Sequence, residues 1–515
     1  MSDSRSIDRD TEDLRSFGYR SELKRTLGGL ATFAASFAVI SVVVGLFTAY
    51  QLGFAFAGPG VVWAVLAVAI GQFIVALVFA ELAARYPIAG SLFQWGKGLG
   101  GPIAGFMTSW FYIWAWLIVL PSVALGLQAT LLTLDPSLHI LPGATPEAGT
   151  LDYAQNMLVL GAVLFAFTTI VNLLGVRFVA IASYVGLIAE IVGLGLLFAV
   201  LLGHIQRGPD VLTNDLGLGA GHSWGYFGAL LVGAFLPMYI FFGFDTGASL
   251  AEETKDPRRH GPQSLLRSIG AAGAVAVIAC ALVPMAVNEI TDEEIALGGL
   301  QFVVADLTSS TIGKILLVDA AVAIVCAAIA IHALISRLIF SMARDSELPF
   351  SRALSLVAER TRAPWVAILV PTVIWIAIMA LNLGNSKVFN ALLGVGVLLV
   401  FISYLILSVL ALRQRLQGKL GPVPGLFSLR WGTPITVVAV LWGVVCCLNL
   451  IWPRADFYGT DWYQQYSALI VTGLVAVGGL LLVTLRPRGV HIGEIRSEHL
   501  ATGEGEAAPD PVGSP

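Results

Sequence analysis

Continuous apolar runs, bounded by short charged or Gly/Pro-containing segments, set the pattern of this chain. Twelve have membrane length, at about 29–56, 60–84, 103–133, 155–175, 178–203, 225–253, 266–289, 313–340, 366–383, 388–412, 433–452 and 464–485. A helix needs roughly 20 apolar residues to cross a hydrocarbon layer about 30 Å thick. The runs do not alternate over ten-residue segments, so they predict helices and not barrel strands. The expected fold is an all-α polytopic membrane protein with 12 transmembrane helices.

Two runs are interrupted. The sixth contains Phe241-Phe242-Gly243-Phe244-Asp245-Thr246-Gly247. A carboxylate at membrane depth is costly and marks a functional site by default. The glycines beside it predict a helix break. The first run is interrupted at Ser41-Val42-Val43-Val44-Gly45. Five helices separate the two starts, so a second copy of a five-helix unit is inverted relative to the first. That arrangement predicts a small-molecule site between the paired breaks, as in inverted-repeat secondary transporters. The predicted organisation is a tail at 1–25, a ten-helix core at 26–412 (repeats 26–203 and 225–412), two more helices at 433–486 and a disordered tail at 487–515.

Composition agrees with the pattern. The chain is 57% hydrophobic and 12% charged, about half the charged fraction of a soluble protein. The placement of charge says more than the net of −4. With the N-terminus in the cytoplasm, 25 of the 29 Lys and Arg fall on the inner side. Arg207, Lys314, Lys387 and Arg454 are the exceptions. This bias predicts a multi-pass protein of the plasma (inner) membrane with both termini cytoplasmic. The polar start of the chain lacks the apolar core of a signal peptide.

The breaks carry the candidate chemistry. An interruption at Val43-Val44-Gly45 makes Leu46 the start of an outer half-helix, whose free N–H groups suit a carboxylate. The alternative for Gly45 is close packing against a neighbouring helix. The outer half of the sixth helix ends near Phe242 with free carbonyls, which suit an ammonium group. Asp245 either pairs with that ammonium or caps the inner half-helix beginning at Thr246. Gly243 makes the break. Tyr239, Phe241 and Phe244 line or close the pocket, or else face lipid or core.

Glu190 lies in mid-membrane on the fifth helix. It either carries a coupling proton, since desolvation favours the protonated form, or is a hydrogen-bonded structural residue. Asp319 falls nearer the outer end of the eighth helix and His332 nearer its inner end, where a satisfied core histidine is expected. Helix 8 has no Ser or Thr from Ile315 to Ile335, which speaks against a hydroxyl-rich sodium site. At the inner mouth Glu81, Glu252 and Glu253 are candidate gate residues, or parts of solvated loops.

Other classes find no support. Gly90 to Gly98 approaches a phosphate loop, but its spacing is one residue too long and Gly98 stands where Ser or Thr would hold magnesium. Cys280, Cys326, Cys446 and Cys447 lie in apolar runs without metal spacing. No cofactor, metal, nucleic-acid or enzyme motif is read.

Four motifs carry a resemblance: Ala80-Glu81-Leu82-Ala83-Ala84-Arg85-Tyr86-Pro87-Ile88-Ala89-Gly90-Ser91, Phe242-Gly243-Phe244-Asp245, Ala251-Glu252-Glu253-Thr254-Lys255-Asp256-Pro257-Arg258-Arg259, and Ser336-Arg337 through Arg344-Asp345. With them the chain resembles the amino acid–polyamine–organocation (APC) superfamily over about residues 18–486, and within it the amino acid/choline transporter family of GABA permeases. The resemblance implies a LeuT-type fold of five plus five inverted helices plus two, alternating access, and a substrate site at the breaks. The family's Gly-rich first break falls on Val43-Val44-Gly45, where only Gly45 is kept. Asp245 matches the acidic position after the second break. The helix 5 Lys of some proton-coupled relatives has no counterpart.

The expected function is secondary import of amino acids, GABA included, coupled to protons. The alternatives are a carrier of cationic amines such as choline, ethanolamine or putrescine, an exchanger, or a nutrient receptor without transport.

Overall fold

The computed structural model describes residues 25–485 apart from 144–145, 147–149, 223, 292, 309, 382 and 384–386, together with residues 14, 15, 17 and 23. The tail expected at 487–515 and most of the one at 1–25 lie outside the described residues.

Among the described residues the chain is helical, with one isolated bridge between Leu27 and Thr254. The principal helices are α1 (Gly29–Ile40), α2 (Val42–Ala57), α3 (Val61–Arg85), α4 (Ser91–Gly100), α5 (Pro102–Leu134), α6 (Leu151–Leu173) and α7 (Val176–Gly203). They continue with α8 (Gly225–Gly233), α9 (Phe235–Ile240), α10 (Thr246–Ser249), α11 (Pro257–Ala286), α12 (Glu293–Leu307), α13 (Ser310–Arg344), α14 (Trp365–Leu381), α15 (Lys387–Leu416), α16 (Gly432–Ile451) and α17 (Ser467–Leu485).

By length and composition nine stretches among the described residues can cross a membrane, or ten if the bent pair ending at Ile240 counts as one. One of the nine is Gly29–Arg85, 57 residues long. At 1.5 Å per residue that is about 86 Å of helix, far beyond one hydrocarbon layer. It is interrupted at Ser41 and again at Gly58–Gly60. Trp365–Leu381 is a shorter apolar helix of 17 residues. The protein is a multi-pass, all-helical membrane protein.

The packing has an internal correspondence. α5 packs on α15, and α13 on α7. If the first run is laid on the sixth, the third falls on the eighth and the fifth on the tenth, so these two packings exchange. α3 packs on α11 and α6 on α14, which are also corresponding pairs. The interrupted helices run through the middle of this arrangement: α2 touches α9 and α12, and α1 touches α7 and α11.

Candidate functional site

The first break lies at Ser41, four residues before the glycine that signalled it. Ser41 has φ −8° and ψ 107°, which ends α1 at Ile40 and lets α2 begin at Val42. Its hydroxyl accepts the Val44 N–H at 3.1 Å, an N-cap for α2. The expected interruption at Val43-Val44-Gly45, with Leu46 opening the half-helix, is therefore corrected: all four residues are helical. Gly45 serves contact. A Cβ there would stand 2.4 Å from Ile240 Cγ1, so its missing side chain lets α2 meet α9.

The exposed amides of this break are already engaged. Glu190 Oε1 accepts the Val43 N–H at 2.9 Å, and Oε2 accepts the Ser41 hydroxyl at 2.5 Å. Glu190 is buried. A carboxylate of the protein thus sits on the half-helix N-terminus, where donors and dipole favour negative charge. Gly193, one turn further along α7, faces Asp319: a Cβ there would lie 1.9 Å from Asp319 Oδ2. That oxygen is buried without a hydrogen-bond partner among the described residues. Asp319 is thus only partly exposed and is turned toward the helix that carries Glu190.

The second break is where the sequence places it. α9 ends at Ile240 and α10 begins at Thr246. Gly243 has φ +78°, a conformation that costs an L-residue roughly 1–2 kcal/mol. A Cβ there would also meet Val39 Cγ1 at 2.6 Å and Trp116 Cζ2 at 2.9 Å.

Asp245 does not cap α10 with its side chain. Its Oδ1 accepts the Tyr112 hydroxyl at 2.6 Å and the Tyr404 hydroxyl at 2.7 Å, and its Oδ2 accepts Ser91 Oγ–H at 3.1 Å. Tyr404 Oη in turn accepts the Gly243 N–H at 2.9 Å. The carboxylate therefore ties α5, α15 and the start of α4 to the break. The capping alternative fails because these three hydroxyls reach the carboxylate from neighbouring helices.

Aromatic rings close around this network. Phe244, Phe79 and Tyr404 have centroids 5.0–5.7 Å apart. Trp116 meets Phe242 edge-on at 5.1 Å. Tyr239 shares a hydrogen bond with Ser122 Oγ at 2.8 Å. Phe241 is buried, as are Tyr239 and Phe244, so none of the three faces lipid.

The end expected to form the inner mouth is tied together by ion pairs with little exposure. Arg344 holds Glu252 through both guanidinium nitrogens, at 2.8 and 3.1 Å, and Ala89 N–H adds a contact at 3.2 Å. Arg337 holds Glu253 at 3.1 Å. Glu81 accepts from Arg85 at 3.0 Å and also from Arg415. Lys97 pairs with Asp345 at 2.6 Å. Two backbone N–H groups, of Thr26 and Leu27, donate to the Glu253 carbonyl, and Lys255 N–H returns to Leu27 O. The three glutamates are thus not in solvated loops. Glu252 and Glu253 join the segment below the second break to the residues before α1 and α4 and to the end of α13, while Glu81 joins the end of α3 to the end of α15.

His332 is a satisfied core residue: Nε2 donates to Ile368 O at 2.9 Å, which leaves Nδ1 to accept from Thr168 at 2.9 Å.

The sequence that builds these two broken helices matches a known family. The sequence profile of the amino acid permease family covers residues 27–480. The chain belongs to that family. Its members are transporters, not enzymes, and the permease is similar over most of its length to several curated relatives. It is 28% identical to the amino-acid permease BAT1 of Arabidopsis thaliana over 90% of this chain and 92% of the relative. It is 26% identical to a probable GABA permease of Pseudomonas aeruginosa, covering 86% and 90%. It is 24% identical to a putative polyamine transporter of Candida albicans, covering 98% and 94%.

Sequence reasoning missed Ser41 as the break itself, although a Ser before Val42-Val43-Val44 in an apolar run is an N-cap signal. It also missed Tyr112, Tyr404 and Ser91. A hydroxyl in an apolar helix announces a partner but not which one, and only the packing of α4, α5 and α15 supplied Asp245.

Proposed function

We propose that this permease imports amino acids, GABA among them, across the plasma membrane by proton-coupled alternating access. In this reading twelve helices cross the bilayer, both termini are cytoplasmic, and repeats 26–203 and 225–412 are related by inversion. The exchange of the α5–α15 and α13–α7 packings supports the repeat.

One observation carries the proposal: Glu190 occupies the amides of the first break. Ionised, Glu190 only accepts, and it holds Ser41 O–H and Val43 N–H. Protonated on Oε1, it presents a donor to the Val43 N–H and gives up that contact. The released half-helix N-terminus then suits a substrate carboxylate. Substrate and proton are thereby bound together. Asp319, turned toward α7, is the second carboxylate on the outer approach to Glu190.

Asp245 and the carbonyls ending α9 supply the acceptor side for a substrate amine, with Tyr239, Phe241, Gly243 and Phe244 framing it. Glu81, Glu252 and Glu253 hold the inner mouth shut until the substrate is bound.

The test is uptake by proteoliposomes against a panel of GABA, neutral amino acids and putrescine, with and without an imposed pH gradient. Accumulation of zwitterions driven by an acidic exterior supports the reading. Gradient-independent exchange, or binding without accumulation, refutes the coupling. A second reading, carriage of cationic amines, is favoured by the buried carboxylate Asp245 and by the likeness to a putative polyamine transporter. Preference for putrescine over every zwitterion in the same panel decides for it.

A further inference from the structure

A groove of about 700 Å³ lies between α1 and α11, lined by Gly29, Leu30, Phe33, His260, Gln263, Ser264, Arg267 and Ala271. On α11 the lining positions recur at i, i+3, i+4, i+7 and i+11, one stripe of the helix. The opposite wall is the start of α1, where Leu30 is 62% exposed.

The groove is graded in polarity along its length. His260, Gln263, Ser264 and Arg267 occupy the first part of α11, and Ala271 follows. His260 Nδ1 donates to Lys255 O at 2.7 Å, which fixes the ring against Gly29. α11 has 30 residues, about 45 Å at 1.5 Å per residue, which exceeds the hydrocarbon by about 15 Å. The excess matches its first ten residues, so Arg267 stands at the boundary between headgroups and acyl chains. Arg267 is exposed and forms no ion pair among the described residues, and no carboxylate lines the groove. Leu30, Phe33 and Ala271 form the apolar continuation.

We infer that this groove binds one anionic phospholipid of the inner leaflet, its phosphate on Arg267 and Gln263 and an acyl chain on Leu30 and Phe33. Cationic pockets between helices on the positively charged side of a membrane protein select anionic headgroups. The inference rests on the inner placement of the charge-rich helix ends. The groove begins at Gly29, two residues beyond the Leu27 that bonds Glu253 and Lys255, so the bound lipid braces the closed inner mouth.

The test uses the purified full chain in a neutral detergent. Unfolding temperature is measured while phosphatidylglycerol, phosphatidylcholine of the same acyl chains, or inorganic phosphate is added. Phosphatidylglycerol is expected to raise the midpoint by several degrees in a saturable way, and the other two to leave it unchanged. R267Q is expected to lose more than half of that rise while keeping the untreated midpoint, and L30N to weaken it. Equal response of R267Q and wild type, equal response to both lipids, or reproduction of the rise by inorganic phosphate overturns the inference. Because no transport is measured, failure here is distinct from failure of the transport reading.

Discussion

The Asp245 network permits a calculation that separates charge from geometry. Its carboxylate accepts three buried hydroxyls, from Tyr112, Tyr404 and Ser91. Asp245→Ala removes every acceptor. An orphaned buried donor costs about 1–3 kcal/mol; Ser91 can turn to Ser249 Oγ, so the two tyrosines are left without an acceptor and the loss is about 2–6 kcal/mol. That is a large part of the whole stability of a typical domain, about 5–15 kcal/mol. Asp245→Asn is different. Its Oδ1 keeps both tyrosines, and its amide can donate to Ser91 Oγ, whose own proton can turn to Ser249 Oγ at 2.6 Å. Only the charge assistance is lost, about 1 kcal/mol per bond, and part of this is offset by no longer burying a charge. D245N is therefore expected to unfold within a few degrees of wild type and D245A to be lost or grossly destabilised. With folding preserved, transport by D245N reads the charge alone. Breaking a buried ion pair costs about 3–5 kcal/mol, so uptake of a cationic amine falls more than about 100-fold. A zwitterion anchored at the half-helix ends keeps its uptake within about tenfold. The assays are thermal unfolding of the purified protein and uptake of labelled putrescine and a neutral amino acid by proteoliposomes. D245N as unstable as D245A would falsify the hydrogen-bond accounting, and unchanged putrescine uptake would remove Asp245 from amine recognition.

Glu190→Gln keeps one acceptor oxygen for two donors, Ser41 O–H and Val43 N–H, and cannot titrate. Uptake is expected to lose its dependence on pH and to become exchange-like; a pH profile identical to wild type removes Glu190 from coupling. Gly243→Ala meets both the strain of φ +78° and the ring of Trp116, and is expected to lower uptake per molecule at least tenfold while the protein still reaches the membrane. Normal uptake by that variant would show that the break tolerates a side chain. Glu253→Ala leaves the Arg337 guanidinium buried and uncompensated, a loss of about 3–5 kcal/mol. A cysteine placed at the buried Leu27 is then expected to react at least tenfold faster with an inner-side thiol reagent. An unchanged labelling rate argues against Glu253 as a gate.

The parts of the site differed in how legible they were. The second break was plain because Gly243 and Asp245 violate the rule for an apolar helix in two ways, one conformational and one electrostatic. The first break was misplaced because Gly45 gave the stronger signal, yet that glycine serves contact with Ile240. Ser41, the true break, opens the same interrupted stretch, but its N-cap signal is weaker than that of a glycine in mid-membrane. The inner-mouth glutamates were found by their charge, but a solvated loop and a buried ion-pair lattice have the same composition. Their partners Arg337, Arg344 and Arg415 lie about 80 to 330 positions away along the chain.

The sequence alone determined the class of the protein. Hydrocarbon thickness sets run length, and the absence of water in the bilayer forces helices, so both are local properties that composition reveals. It also marked the residues that are costly in a membrane: Glu190, Asp245 and the charged helix ends. The tertiary structure decided what offsets their cost. Glu190 belongs to the first break and Asp245 to three hydroxyls, because a buried carboxylate must find donors and those donors come from helices distant in sequence. Chemical need is written in the residue itself, while its satisfaction depends on which helices pack side by side.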